Sequence, residues 1–242
     1  MRVGRAVLAQ VSGAERWMVA GFVVAMMLIL SFVVLASEMA EGETHAFDER
    51  LLLLFRVPGS PATSIGPPWL KEAMRDVTAL GSTSVLSIIV TGVIGFLLVT
   101  GLRHAAVMVA ASVITGVILS NVLKAGFSRP RPELIPRDMA VYTASFPSGH
   151  TTMSALVYLT LGALLCRTQA SIAVKTYVLC CAGFLTAIVG VSRVYLGVHW
   201  PTDVIAGWLV GGTWALLCWF VMLWLQSRGE VEPEQQAGSG KA

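Results

Sequence analysis

The sequence has few charged residues, no long basic run and only four cysteines. Asp, Glu, Lys and Arg make up 13% of its 242 residues, against about 25% in soluble domains, which disfavours a soluble globular protein. A formal net charge of +3 gives no reason to expect nucleic acid as a partner. All the cysteines lie inside apolar runs, which predicts small buried side chains and neither disulfides nor metal ligands (Cys166, Cys180, Cys181, Cys218).

Long apolar runs dominate what is present, and hydrophobic residues make up 55% of the chain. The first run extends from Trp17 to Ala36. About 20 residues at 1.5 Å each cross a hydrocarbon core of roughly 30 Å. A cleaved signal peptide is the alternative, because Val34-Leu35-Ala36 resembles a cleavage site. We favour a retained span, since the apolar region of a signal peptide usually has only about 7–15 residues.

Five further apolar runs follow, at about 84–102, 105–123, 151–166, 176–191 and 204–225. Together with the first, at 17–36, they predict an all-α integral membrane bundle of six transmembrane helices. Small residues within these runs are predicted to let helices pack closely (Gly92, Gly95, Gly116, Gly207, Gly211, Gly212). The sequence leaves the oligomeric state open.

The longest segment outside the predicted spans is 37–83. Pro67-Pro68 can open a helix, and apolar residues then recur at helical spacing with charged residues on the other face. This pattern predicts an interfacial helix lying in the membrane plane between the first two spans. A second short helix is predicted over Asp48 to Val57. The segment would either roof a lipid entry path or act as a passive connector.

Orientation is predicted with both termini in the cytoplasm, as an N-terminal segment 1–16 and a disordered tail 226–242. With this orientation the inner segments hold eight Lys and Arg and the outer segments nine, so the positive-inside rule is not satisfied by the raw count. The cations ahead of the first span nonetheless favour a cytoplasmic N-terminus. Two spans separate the loops 124–150 and 192–203, so both loops lie on one side. That side is predicted to face the periplasm or cell exterior of the inner (plasma) membrane.

The first polar cluster begins at Lys124, where the third span ends, and runs to Pro132. Pro130 and Pro132 prevent a continued helix and restrain the backbone on both sides of Arg131. Arginine presents a fork that matches pairs of phosphate oxygens, and lysine supplies a compact charge. The cluster therefore predicts a phosphate site, with cations that merely reach for lipid headgroups as the alternative.

The second polar cluster is Pro147-Ser148-Gly149-His150, directly before the fourth span. Ser148 is the predicted N-cap of that span, and Gly149 permits close approach of another group to the backbone. The free N–H groups at a helix start bind anions, which would place His150 beside a bound phosphate. A plain loop turn is the alternative.

The third polar cluster places Arg193, His199 and Asp203 within eleven residues, at a lip between two spans. Ionisable groups near a bilayer are costly unless they are paired, so such a cluster indicates function. Pro201 is predicted to open the sixth span, which puts Asp203 in its first turn. There the carboxylate can accept the Nδ1–H of His199 and free Nε2 as a nucleophile or base.

The three clusters together resemble a known three-part motif. Lys124-x6-Arg131-Pro132, Pro147-Ser148-Gly149-His150 and Ser192-Arg193-x5-His199-x3-Asp203 are similar to the signature of the type-2 phosphatidic acid phosphatase family. This family includes soluble vanadium haloperoxidases and glucose-6-phosphatase, and the match covers about residues 84–225. The predicted spans argue against a haloperoxidase.

The resemblance implies a role for each matched residue. His199 would be the nucleophile that forms a phosphohistidine, Asp203 its orienting partner and His150 the general acid. The residues implied to bind phosphate are Lys124, Arg131, Ser148, Gly149 and Arg193. The resemblance implies no metal and no cofactor, because cations and backbone dipoles neutralise the developing charge.

These features together predict a membrane hydrolase that acts on a lipid phosphate or lipid diphosphate in the bilayer. Among the substrates of such families we favour undecaprenyl diphosphate over phosphatidylglycerophosphate and phosphatidate. A lipid phosphotransferase with the same site is one alternative. A non-enzymatic lipid-phosphate binder or transporter is another, although it would need the cations without the pair formed by His199 and Asp203.

Overall fold

The computed structural model describes residues 13–133 and 144–228, and this part of the chain is mostly helical, which confirms the predicted fold class. The elements are α1 (Gly13–Glu41), α2 (His45–Leu53), β1 (Arg56–Val57), β2 (Ser60–Ser64), α3 (Pro68–Ala79), α4 (Thr83–Val99), α5 (Arg103–Gly126), α6 (Gly149–Arg167), α7 (Ile172–Tyr195) and α8 (Pro201–Ser227).

Five helices of the described chain are long and apolar enough to cross a membrane: α1, α5, α6, α7 and α8. A sixth crossing is formed if α3 and α4, which meet at a bend of 46°, are taken as one span. Large apolar side chains point outward from these helices, as on α1, where Phe22 is 62% and Leu30 58% exposed. Such surfaces suit lipid, where a helix satisfies all of its own backbone hydrogen bonds.

All six helices that correspond to the predicted spans differ from them in length. The first is longer, because α1 begins at Gly13 and continues to Glu41, into the segment 37–83 that was predicted to lie outside the spans. The second is shorter, because Gly101 adopts a φ of +83° and ends α4. The N–H of Leu102 then bonds to the carbonyl of Leu97 at 2.8 Å, which completes a glycine-terminated helix end.

The predicted end segments overlap the helices. Residues 13–16 belong to α1, and residues 226–227 belong to α8. Residues 1–12 and 229–242 lie outside the described residues.

The connector between α1 and α3 contains a hairpin that was not predicted. The helix predicted over Asp48 to Val57 is wrong in its second half, because α2 ends at Leu53 and Arg56–Val57 pairs antiparallel with β2. A long-range contact accompanies the change: the Arg56 side chain is 6% exposed and donates to the carbonyl of Tyr195 at 2.7 Å. The hairpin is thereby attached to the end of α7.

The predicted helix after Pro67-Pro68 is confirmed as α3, with Pro68 at its first position. The chain bends directly after it, and Ser82 caps α4 by accepting the N–H of Val85 at 3.3 Å. Gly81 lies in the bend, where a Cβ would come within 2.6 Å of Val189 and 3.0 Å of the carbonyl of His150. The bend therefore brings this connector against the start of α6.

The centre of the bundle is α6, which packs mainly against α7 and α8. Gly207 and Gly211 of α8 permit the closest part of this contact, since a Cβ on Gly211 would lie 2.7 Å from that of Ala155. Their predicted packing role is confirmed, as is that of Gly116, whose Cβ would strike Leu156. For the remaining predicted glycines the role is wrong, because a Cβ there would have no described atom of another helix within 4 Å (Gly92, Gly95, Gly212).

Candidate active site

A cavity of about 400 Å³ lies where α4, α5 and α6 meet the end of α7 and the segment before α8. It is lined by six of the residues singled out in the sequence, namely Lys124, Arg131, Gly149, His150, Arg193 and His199. The other part of its wall is mainly apolar and includes Leu86, Val90, Val113, Val117, Met153 and Val157. One end of the cavity thus suits an anion and the other a hydrocarbon chain.

His199 is held from both sides of its ring. Its Nδ1 lies 3.3 Å from Oδ2 of Asp203, and Nη1 of Arg131 lies 2.9 Å from its Nε2. Because a guanidinium can only donate, Nε2 accepts from Arg131 and the ring proton resides on Nδ1. The geometry therefore corresponds to the neutral tautomer in which Nε2 keeps its lone pair.

Burial keeps this imidazole neutral. His199 is 1% exposed, and desolvation lowers its pKa from 6.5 to about 3. The hydrogen bond to Asp203 opposes that change, while the charges of Arg193 and Arg131 reinforce it. A neutral imidazole can act as a nucleophile through Nε2 once Arg131 no longer donates to that atom.

Asp203 and Ser148, the two remaining predicted site residues, lie behind the cavity wall, and both are fully buried. Asp203 stands in the first turn of α8 as predicted, and its Oδ2 also accepts the N–H of Trp200 at 2.9 Å. Ser148 occupies the predicted N-cap position of α6, which confirms its place at the helix start. Its side chain makes no capping hydrogen bond to the backbone, and its Oγ accepts from Thr151 at 2.9 Å.

Arg131 is fixed by the backbone around it. Its Nη1 donates to the carbonyl of Val198 at 2.7 Å, and its Nη2 to that of Ala144 at 3.4 Å. The chain beside it is anchored as well, since the carbonyl of Pro130 accepts the indole N–H of Trp200 at 3.0 Å. The guanidinium is consequently presented to the cavity from a rigid frame.

Arg193 lies in the last turn of α7 and not in the predicted loop. Its side chain is 3% exposed, and its Nη1 donates to Oγ1 of Thr78 on α3 at 3.1 Å. Its Nε is buried and has no hydrogen-bond partner within residues 13–133 and 144–228. A buried N–H donor that lacks a protein acceptor and lies beside a cavity is suited to bind an anionic ligand.

Lys124 and Gly149 meet at the start of α6. A Cβ on Gly149 would lie 3.3 Å from Nζ of Lys124, so the missing side chain leaves room for the ammonium at the helix N-terminus. His150 follows in the first turn of α6 and also lines the cavity. Cations, helix N–H groups and two histidines therefore border the same space, which is an arrangement for binding and transferring phosphate.

Several residues of this region were not predicted as site residues. Arg129 donates to Asp203 at 2.7 Å and to Asp48 at 2.6 Å, and the hydroxyl of Ser145 also donates to Asp203. Arg129 lies inside the first sequence motif, so its position was a usable signal. Nothing in the pattern of 37–83 distinguishes Asp48 or Thr78, because only the folded chain brings them to the site.

The fold and the site together define a class of protein, an integral membrane enzyme that acts on a phosphate group. Comparison with family models is specific: residues 105–227 match the PAP2 superfamily. The chain belongs to this superfamily, which is the family that its three motifs resemble.

Similar proteins support the membrane-bound branch. Phosphatidylglycerophosphatase B of Bacillus subtilis is 31% identical over 185 residues, which cover 76% of this chain and 87% of that protein. Undecaprenyl-diphosphatase of Sulfolobus acidocaldarius is 32% identical over 145 residues, or 55% of this chain and 61% of that protein. The protein is therefore a membrane lipid phosphatase.

A solved structure has the same fold. The crystal structure of a transmembrane PAP2-type phosphatidylglycerolphosphate phosphatase from Bacillus subtilis matches with a TM-score of 0.72 at 29% identity. The match covers 83% of this chain and 96% of the other. It therefore extends beyond the region recognised by the family model.

Proposed function

We propose that the protein removes the terminal phosphate of a lipid phosphate or diphosphate through a phosphohistidine on His199, without a metal. The observation that supports this most directly is the geometry of His199, whose Nδ1 faces Asp203 while its Nε2 lone pair lies on the side of Arg131. A phosphate that accepts the Arg131 donor would stand beside that lone pair. Nucleophile and charge-neutralising group are then already in place.

The proposed reaction has two steps. In the first, Nε2 of His199 attacks phosphorus, the bond from phosphorus to the lipid oxygen breaks, and His150, which starts as the imidazolium, gives a proton to that oxygen and becomes neutral. In the second, His150 takes a proton from water, the oxygen of that water attacks phosphorus, and the bond to Nε2 breaks. Inorganic phosphate leaves, and both histidines return to their starting states.

The cations have a shared task in both steps. Negative charge develops on the phosphate oxygens in each transition state, and Lys124, Arg131 and Arg193 border the space where these oxygens would lie. The N–H of Gly149 at the start of α6 adds a backbone donor, while buried Ser148 supports that turn. Donors fixed before the reaction begins need little reorganisation, which is the main source of such catalysis.

The apolar part of the cavity supports a lipid substrate. Leu86 and Val90 on α4 and Val113 and Val117 on α5 line the same cavity as the cations. A hydrocarbon tail can follow this surface into the bilayer while the headgroup meets the charges. We propose that the site faces the periplasm or cell exterior, with both termini in the cytoplasm.

Undecaprenyl diphosphate remains the proposed substrate from the sequence. Phosphatidylglycerophosphate is a second candidate, favoured by the relative from Bacillus subtilis named phosphatidylglycerophosphatase B, of which this chain covers 87%. A panel of both lipids and phosphatidate, assayed in detergent at equal concentration, separates them by kcat/KM. Preference for phosphatidylglycerophosphate would overturn the first assignment and leave the mechanism intact.

The mechanism is tested by phosphate release from the purified protein, with and without a chelator, beside His199→Ala. We expect release to survive chelation and to fall by at least ~10³-fold in the variant, roughly 4 kcal/mol of transition-state stabilisation. His45→Ala is the matched control, because His45 is exposed and does not line the cavity. Chelator-sensitive release, or an active His199→Ala protein, would refute the phosphohistidine route.

The same preparation separates the alternatives. A phosphotransferase would label the protein from a radioactive lipid phosphate and pass the label to an added lipid alcohol faster than to water. A binder or transporter would retain the lipid without any release. Release to water as the dominant outcome supports the hydrolase.

A further inference from the structure

Behind His199 lies a buried polar network that does not line the cavity. Its centre is Arg129, whose side chain is 9% exposed. Its Nη1 donates to Oδ1 of Asp203 and to Oγ1 of Thr202, each at 2.7 Å. Its Nη2 donates to Oδ2 of Asp48 at 2.6 Å and to Oγ1 of Thr44 at 3.2 Å. One guanidinium thus joins two buried carboxylates.

Asp48 closes the network from the other side. It is fully buried on α2, and its Oδ1 accepts the backbone N–H of Thr202 at 2.8 Å. The hydroxyl of Thr202 donates to Oδ2 of Asp48 at 2.6 Å. The connector after α1 is therefore attached to the first turn of α8, beside Asp203.

The two oxygens of Asp203 have separate partners as a result. Oδ2 faces Nδ1 of His199 and accepts the N–H of Trp200, while Oδ1 accepts from Arg129. With Oδ1 held, the carboxylate cannot rotate away from the imidazole. The hydrogen bond that selects the His199 tautomer is thereby maintained from the far side of the carboxylate.

The charges of the network act in opposite directions on His199. The other ionisable groups near the ring are Asp203 and, from the surrounding elements, Lys124, Arg131, His150 and Arg193. Arg129 compensates part of the negative charge that Asp203 presents to the imidazole. Asp48 in turn compensates Arg129, so losing one partner should have the reverse effect of losing the other.

We propose that Arg129 and Asp48 are positioning residues that hold the Asp203 carboxylate against His199 and set the charge around it. Neither touches the cavity, so they act through Asp203 and not on the substrate. This inference rests on the proposed function, in which His199 attacks phosphorus in its neutral form.

The test compares Arg129→Gln, Asp48→Asn, the double variant and Arg129→Lys by kcat, KM and the pH profile of kcat/KM. Arg50→Gln and Glu49→Gln are controls, because they change the charge of α2 at residues outside the network. We expect kcat of Arg129→Gln to fall about 10–100-fold, as for other supporting hydrogen-bond partners, with KM unchanged. Arg129→Lys should lose less kcat than Arg129→Gln, because lysine keeps the positive charge but lacks the forked guanidinium that bonds Asp203 and Asp48 together.

The acid limb of the profile gives the sharper result. Arg129→Gln should move it to higher pH, because an uncompensated Asp203 favours the imidazolium, which cannot attack. Asp48→Asn should move it to lower pH, and the double variant should return it towards the unmodified protein. If Arg129 and Asp48 only stabilised the fold, their substitutions would not be expected to move the acid limb in opposite directions, nor to cancel in the double variant.

A measurement without turnover completes the test. Nitrogen-15 NMR of labelled histidine, with the His199 signal assigned by His199→Ala, reports its tautomer in each folded variant. Mixed tautomers in Arg129→Gln support the proposal. Unchanged tautomer and acid limb in both single variants, or movement in the same direction, overturn it. If His199→Ala remains active, the proposed function itself fails, which is a different result.

Discussion

At the scale of single residues, His199 shows how burial and two directional contacts fix one protonation state. Arg131 requires an acceptor at Nε2, and Asp203 accepts the proton at Nδ1. Both contacts are satisfied only by the neutral Nδ1–H tautomer. The burial that keeps the imidazole neutral also means that the folded protein disfavours protonation of His199 relative to the unfolded chain.

A pH dependence of stability follows from this. The folded pKa of His199 is lowered to about 3 and the unfolded value is near 6.5, so between these values the unfolded chain binds more protons. Stability is therefore lost as the pH falls through this window, by up to about 1.4 kcal/mol per pH unit. We expect the melting temperature in detergent to fall more steeply from pH 6.5 to 4 than in His199→Asn. Parallel curves would contradict it.

The sequence located the residues whose neighbours are close in the chain. His199 and Asp203 are four residues apart at a helix start, and Lys124 and Arg131 share one motif. Asp48 is 81 residues from its partner Arg129, and Thr78 is 115 from Arg193, so no local spacing indicates either pair. These contacts exist only because separate helices are packed together.

At the scale of elements, the contact between α6 and α8 holds the start of α6 against the first turn of α8, where Asp203 lies. The N–H of Ser148, at the start of α6, bonds to the carbonyl of Asp203 at 3.0 Å. Gly207 faces the same turn, since a Cβ there would lie 2.8 Å from that of Thr151. Close approach of the two helices therefore brings the second and third motifs together.

A pair of neighbouring glycines tests this packing. Gly211→Ala should destabilise the protein by about 1–3 kcal/mol, because its methyl would overlap Ala155 at 2.7 Å in a filled interior. Gly212→Ala is the control one residue away, where no described atom lies within 4 Å, and should be neutral or stabilising by up to about 1 kcal/mol. Thermal unfolding in detergent measures both. Equal effects would show that helix propensity, and not packing, determines the outcome.

The connector 37–83 forms part of the site wall and is not a passive link. Gly81 lines the cavity, Thr78 binds Arg193, and Asp48 holds Arg129. The sequence indicated α3 because its apolar residues recur at helical spacing. It missed the hairpin of β1 and β2, which has no strand-like pattern and is linked to α7 by the hydrogen bond from Arg56 to the carbonyl of Tyr195.

At the scale of the whole molecule, the polar site occupies one end of the bundle. The hairpin lies at this end too, since the hydroxyl of Tyr195 donates to the carbonyl of Ile65 at 2.7 Å. The turn between α6 and α7 lies at the other end, because α6 starts at the site with Gly149 and runs away from it. A headgroup can therefore reach the site from one membrane face.

The proposed orientation predicts which end is outside. In a protein whose four cysteines are replaced, Ala62→Cys in the hairpin should react with a membrane-impermeant thiol reagent in intact cells. Ala170→Cys, in the turn between α6 and α7, should react only after lysis. Both positions are exposed, so access and not burial decides the result. The reverse pattern would place the site in the cytoplasm.

The sequence by itself determined the helical membrane architecture, because apolar runs of membrane length have no other way to satisfy their backbone in lipid. It also determined the three motifs, and it placed them on one common side of the membrane, because two spans separate the loops that carry them. Tertiary structure decided where the helices end, how the connector closes the cavity and which cation supports Asp203. These depend on burial and on hydrogen bonds between residues up to 154 positions apart, as between Asp48 and Thr202. Distances of that kind are fixed by packing, which no local pattern of residues encodes.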